Sequence, residues 1–186
     1  LKPVHQAFIT EMGAKQKGDI KELCDLVHPQ YGLLTAIGEQ HLETFGTFGN
    51  IIDTKFELID ALPAEGIAVL NFDDENIRAN AYRMKGKVVS YGLTSVDVDY
   101  SAKDIRYHSR GTEFTVIAPN GEEEQIRTRL LGRHNVYNTV GAIAMAHQLG
   151  LTLRQAKKSL TTLPPVEHLL ELKVHANGLI VIDDAF

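Results

Sequence analysis

The sequence predicts an α/β fold: a parallel sheet with flanking helices, extended by a small antiparallel sheet. Three observations carry that prediction. In the first half, short apolar runs without polar alternation recur between amphipathic segments, as buried parallel strands do. Between residues 87 and 131, strand-like runs follow one another with no helical period between them. After Asn135 the helical period returns.

Residues 5–10 (HQAFIT) read as the first strand. Residues 18–28 place Ile20, Leu23, Leu26 and Val27 at helical spacing, with Cys24 on the same apolar side as a small core residue. Residues 31–37 (YGLLTAI) return to a strand, and residues 48–62 align Ile51, Ile52, Phe56, Ile59 and Leu62 on one helical stripe. A strand at 66–71 (GIAVLN) and a helix at 74–84 complete the alternation. The antiparallel group is expected at 87–91, 99–108, 112–118 and 124–131, with Arg110-Gly111 and Pro119-Asn120-Gly121 as turn signals. Residues 135–149 carry the stripe Val136, Val140, Ile143, Ala144 and His147, and Gly150 stops it. Another short helix is expected at 153–160. Pro164-Pro165 breaks the chain, and strands at 170–175 and 179–182 are joined by Asn177-Gly178, a favoured hairpin turn. The expected organisation is one unit over 1–164 and the start of another over 165–186. Leu1 and Phe186 both read as internal to a longer protein, so the fold is expected to be truncated.

The chain has 186 residues, of which 44% are hydrophobic and 23% charged, which excludes a disordered or collagen-like protein. A net charge of −5 makes a poor non-specific nucleic-acid binder, while leaving room for a local site for a phosphorylated small molecule. One cysteine excludes an internal disulfide and a cysteine-rich zinc site and suits a reducing cytosol. No apolar run approaches the ~18 residues of a membrane span.

Ligands of open parallel sheets gather at the carboxyl ends of strands. Polar groups follow four expected strands: Glu11; Gly38-Glu39-Gln40-His41; Asn71, Asp73 and Asp74; and Asp183-Asp184. Carboxylates with an imidazole suit a divalent cation, although single acidic residues after strands also serve as helix caps. Gly13–Gly18 (GAKQKG) opens like a phosphate loop, but Asp19 stands where lysine is needed, so any such loop is expected upstream of Leu1. Lys55 reads in two ways: a snorkelling surface lysine, or a desolvated amine that reacts with CO₂ to form a carbamate and offers an anionic ligand to a metal. Asn135 is a credible helix cap, and Asn138 shares its face, so the pair is either capping plus a solvent contact or two amides for a nucleotide base. His5, His108 and His175 are taken as structural, and His168 is undecided.

Six motifs in order carry a resemblance over nearly the whole chain. They are Glu11-Met12-Gly13-Ala14 with Gly18-Asp19-Ile20; Thr35-Ala36-Ile37-Gly38 with His41-Leu42-Glu43 and Phe45-Gly46; Lys55-Phe56-Glu57-Leu58; Asn71, Asp73 and Asp74; Gly132-Arg133-His134-Asn135 with Asn138; and Ile182-Asp183-Asp184-Ala185-Phe186. Together they resemble the Mur ligases, ATP-dependent amide-forming enzymes of peptidoglycan synthesis. The E-M-G-A and D-D-A forms look most like the branch that adds D-alanyl-D-alanine to a UDP-linked muramoyl tripeptide. The resemblance implies a cytoplasmic enzyme, a central ATPase domain of P-loop NTPase type and the first strands of a Rossmann-like C-terminal domain. It implies a two-step reaction, in which ATP converts a carboxylate to an acyl phosphate that an amine then attacks. It also implies roles: Glu11 and His41 as ligands of two Mg²⁺ ions, Lys55 as a carbamylated lysine supporting the second, Asn135 and Asn138 on the adenine side, and Asp183 as a ribose contact. The other domains of the parent chain would supply the phosphate loop, so this segment alone is expected to be inactive. Two positions depart from the pattern: Leu169 stands where the family has an arginine near the ATP phosphates, and Ala36 where it more often has asparagine. Folylpolyglutamate and cyanophycin ligases share the core and are alternatives, as is a non-catalytic nucleotide-binding or partner module.

Overall fold

The computed structural model describes every residue except 1, 3, 110, 185 and 186. Arg110 of one expected turn and the Ala185-Phe186 end of the last motif therefore lie outside the described residues. The elements are α1 (Asp19–Val27), β1 (Tyr31–Leu34), α2 (Leu42–Phe45), α3 (Phe48–Asp60), β2 (Ile67–Asn71), α4 (Glu75–Asn80), a 3-10 turn (Ala81–Arg83), β3 (Lys87–Gly92), β4 (Tyr100–His108), β5 (Gly111–Ile117), β6 (Glu123–Thr128), α5 (Arg133–Gln148), α6 (Leu153–Thr161), β7 (Glu171–Val174) and β8 (Ile180–Asp183). No helix among the described residues is long and apolar enough to cross a membrane.

One six-stranded sheet runs in chain order from β1 to β6. β1, β2, β3 and β4 are parallel, and β5 and β6 continue antiparallel. The expected antiparallel addition is thus the far half of the same sheet, but the 87–91 strand assigned to it is the third parallel strand. A parallel pair normally needs a helical crossover because the chain must return to its starting edge. Here β4 begins where β3 ends: only Tyr91 with Tyr100 and Gly92 with Ser101 are paired, so the short loop 93–99 suffices.

β2 shows why the parallel strands read as continuous apolar runs. Successive side chains point to opposite faces, and both faces are covered. Ala68 and Leu70 pack with Leu34, Phe56, Ile59 and Ile77 under α3 and α4. Val69 packs with Val89, Tyr91, Val136 and Val140 under α5. Leu26 of the expected α1 stripe is exposed, while Ile20 and Cys24 are buried. α6 opens with a capping box: Thr152 Oγ1 accepts the Gln155 N–H and Gln155 Oε1 accepts the Thr152 N–H.

One further expectation fails, and the expected hairpin forms with a longer turn. Residues 5–10 form no strand, because among the described residues no neighbour ladders with them, and Phe8 and Ile9 are exposed. β7 and β8 pair as a separate two-stranded sheet, closed by the five residues 175–179 rather than a two-residue turn; the His175 N–H donates to the Leu179 carbonyl.

Candidate functional site

A cavity of about 300 Å³ opens at the carboxyl ends of β1 and β2, facing the start of α5. Thr35, Ala36, Asn71, Asp73, Asp74, His134, Tyr137 and Asn138 line it. Three polar side chains from the end of β2 tie its walls together. Asn71 Nδ2 donates to the Thr35 carbonyl at 2.8 Å, and its Oδ1 accepts the Asp73 N–H at 3.1 Å. Asp74 caps α4 by accepting the N–H groups of Asn76 and Ile77, while its other oxygen accepts the Ile37 N–H at 2.7 Å. Both residues therefore pin the loop that follows β1.

Asp73 holds the opposite wall. Its carboxylate accepts the N–H groups of Leu93 at 2.7 Å, Thr94 at 2.8 Å and Ser95 at 2.7 Å, and the Tyr137 hydroxyl at 2.7 Å. Gly92 makes room for it, since a Cβ there would lie 2.6 Å from Asp73 Oδ1. Burial pushes the Asp73 carboxyl up, but the hydrogen bonds outweigh it and hold the group well below the usual carboxylate range. Burial, and then the bond to Asp73, pushes the Tyr137 phenol up, so Tyr137 stays a donor. With these donors in place, Asp73 and Asp74 brace the walls of the cavity.

The start of α5 differs from the expectation. The chain turns at Gly132 (φ 87°), which is the cap position and carries no side-chain cap. Asn135 is thereby the third helical residue, and its Nδ2 reaches back to the Leu131 carbonyl at 2.7 Å. Asn138 is exposed one turn further on and lines the cavity.

The other expected site residues lie on different elements. Glu11 is exposed in the irregular segment before α1. His41 precedes α2 with φ 49°, half exposed, with Nδ1 3.6 Å from Glu43 Oε1. Lys55 is half-buried on α3. None of the three lines the cavity. Glu57, two residues after Lys55, caps α1 instead, accepting the Gly18 and Lys21 N–H groups at 2.8 and 2.9 Å. Asp183 lies in the separate hairpin rather than on the parallel sheet's edge; Lys173, then His168, hold its carboxyl below the ordinary value. His168, Glu171 and Asp183 form a compact group of metal-ligating types among the described residues, but the Lys173 ammonium already bridges both carboxylates. His168 (φ 62°) and Leu170 (φ 45°) flank Leu169, which is exposed. Thr35, His134 and Tyr137 are the polar cavity residues to which sequence reasoning gave no site role. Tyr137 carried a signal in its place between Asn135 and Asn138, but its partner Asp73 is 64 positions away.

Comparison with known proteins adds a family. The Mur ligase middle domain matches residues 2–146. The UDP-N-acetylmuramoyl-tripeptide–D-alanyl-D-alanine ligase of Bacillus subtilis (strain 168) is 34% identical over 178 residues, covering 96% of this chain and 37% of that protein. The crystal structure of MurF from Acinetobacter baumannii superposes with a TM-score of 0.89 at 26% identity, over 100% of this chain and 40% of that one. MurF ligase from Thermotoga maritima, solved in complex with ADP, superposes with a TM-score of 0.81 at 26% identity, over 94% of this chain and 40% of that one. The chain spans about two fifths of the length of these relatives.

Proposed function

The chain belongs to the Mur ligase middle-domain family, and on that premise we propose that it is the central, ATP-handling part of a ligase that joins D-alanyl-D-alanine to a UDP-linked muramoyl tripeptide. The observation that carries this reading is the match of almost the whole chain to ligases of that name. Residues 1–164 are then the body of the central domain, and residues 165–186 open the C-terminal one. The parent works in the cytoplasm, and its other domains supply the phosphate loop and most of the substrate contacts.

The residues fit the groups this chemistry uses. Exposed Glu11 and His41 offer the oxygen and nitrogen donors that suit divalent cations. Asn138 brings its amide into the cavity at the start of α5, where an adenine edge can be hydrogen-bonded, and Asn135, one turn before it, keeps its amide oxygen for the same ring. Asp183 is the ribose contact from the following domain. Mg²⁺, when bound, neutralises the two anions that must meet as a phosphoryl group passes to a carboxylate. Lys55 would add a second anionic donor: its free-base amine attacks CO₂, a C–N bond forms, and one N–H proton leaves to solvent to give a carbamate. Between them these side chains would hold the cations and the nucleoside, and the charge they bring would help a carboxylate and a phosphoryl group meet.

Titration of the full-length parent ligase, which carries the phosphate loop, with Mg-ADP tests the reading. Saturable binding is expected, and Asn138→Ala should weaken it about tenfold, the worth of roughly one hydrogen bond. Absence of saturable binding, or an unchanged affinity in Asn138→Ala, overturns the placement of the nucleotide at α5. For Lys55, isotopically labelled bicarbonate should give a carbamate resonance that Lys55→Arg abolishes; an identical spectrum in the variant removes that role.

A further inference from the structure

The first turn of α5 is held from outside rather than by its own cap. Gly132 offers no side chain, so the turn depends on Asn135 reaching back to Leu131 and on Tyr137 reaching across to Asp73. The Tyr137 ring is fixed on its other side by the Arg133 guanidinium, 5.8 Å from the ring centroid. The carboxylate that Tyr137 binds is the one that gathers the 93–95 amides. One hydroxyl thus connects the start of α5 to the ends of β2 and β3, and Asn138, the next residue, faces the cavity.

We propose that Tyr137 is a positioning residue: its bond to Asp73 sets the angle at which α5 presents Asn138 and His134 to a nucleoside base. This rests on the reading of α5 as the nucleotide end of the cavity. A tyrosine that only strengthened the fold would share the same bond, but its loss would change stability without changing affinity in a way that depends on Asn138.

The experiment is a double-mutant cycle on the full-length parent ligase, with Tyr137→Phe, Asn138→Ala and the double variant, read as Mg-ADP affinity alongside thermal unfolding. Tyr137→Phe keeps the ring and removes only the hydroxyl. It is expected to weaken binding by about fivefold or more, the low end of coupling between linked sites. In the Asn138→Ala background the same change should cost much less, because coupled residues are not additive. A lower melting temperature with unchanged affinity overturns the proposal, as do effects that simply add. An Asn138→Ala variant that binds like the parent chain overturns the nucleotide reading itself, a result separate from the other two. A second measurement needs no variant: Mg-ADP should slow amide exchange at Leu93, Thr94 and Ser95, and unaltered exchange there at saturation refutes the connection.

Discussion

Gly141 shows how tightly a single position is determined. It sits mid-helix in α5, where glycine costs roughly 1 kcal/mol against alanine. A Cβ there would lie 2.8 Å from Tyr91 Cζ and 2.9 Å from its hydroxyl oxygen. Tyr91 is fully buried and cannot swing aside. Gly141→Ala should therefore destabilise the chain by about 1–3 kcal/mol through overpacking, despite its better helix propensity, read as a fall in melting temperature. The Tyr91 hydroxyl also has no hydrogen-bond partner among the described residues. Burial pushes that phenol up, so the proton stays on. Leaving a buried polar group unsatisfied costs about 1–3 kcal/mol, so Tyr91→Phe should raise the melting temperature; a lower one would mean the hydroxyl is satisfied after all.

At the level of elements, α1 is capped by another helix. Gly18 supplies no side-chain cap, and Glu57 on α3 takes two of the first amides of α1 instead. Glu57→Ala should cost about 1–3 kcal/mol, as lost caps and charged hydrogen bonds do. The loss should be concentrated in amide exchange of α1, while β2 and β3 keep their protection. Such long-range caps mark where sequence reading stops. The apolar stripe of α3 was visible because Ile51, Phe56 and Ile59 repeat at the period of the helix itself. The T-x-x-Q box of α6 is equally local. Glu57 stood in a motif, but its capping role gave no sign, because its partners are 36 and 39 residues away. The same holds for the cavity. Asn71, Asp73 and Asp74 stood out as polar residues after a strand, but their use as braces depends on Thr35, Ile37 and Tyr137, which the topology alone brings near. Asn135 was misread as a cap because its residue type is right for one, and only the turn at Gly132 shows that the helix has already begun. Residues 5–10 failed in the opposite way: they have strand chemistry, yet a strand is a relation between two segments, and no second one pairs with them.

Across the whole molecule, Asp73 ties β2, the 93–95 loop and α5 into one unit, and its ionisation therefore reports on the assembly. Its folded-state value lies below the ordinary 3.8, so the unfolded chain binds the proton more readily. The stabilisation is fully present above the ordinary carboxylate range and is lost as pH falls through it toward the depressed value. Acid titration of unfolding should show stability falling below about pH 4, with a shallower fall in Asp73→Asn, which should already be less stable at neutral pH. Equal slopes for the two proteins would assign the acid sensitivity to other carboxylates. The order of the sheet has a consequence of a different kind. Because β1 to β6 lie side by side in the order they occur in the chain, each strand from β2 to β6 leaves the ribosome with its preceding neighbour already made. Strand pairing can follow synthesis from β1 to β6, while the second face of β2, β3 and β4 waits for α5.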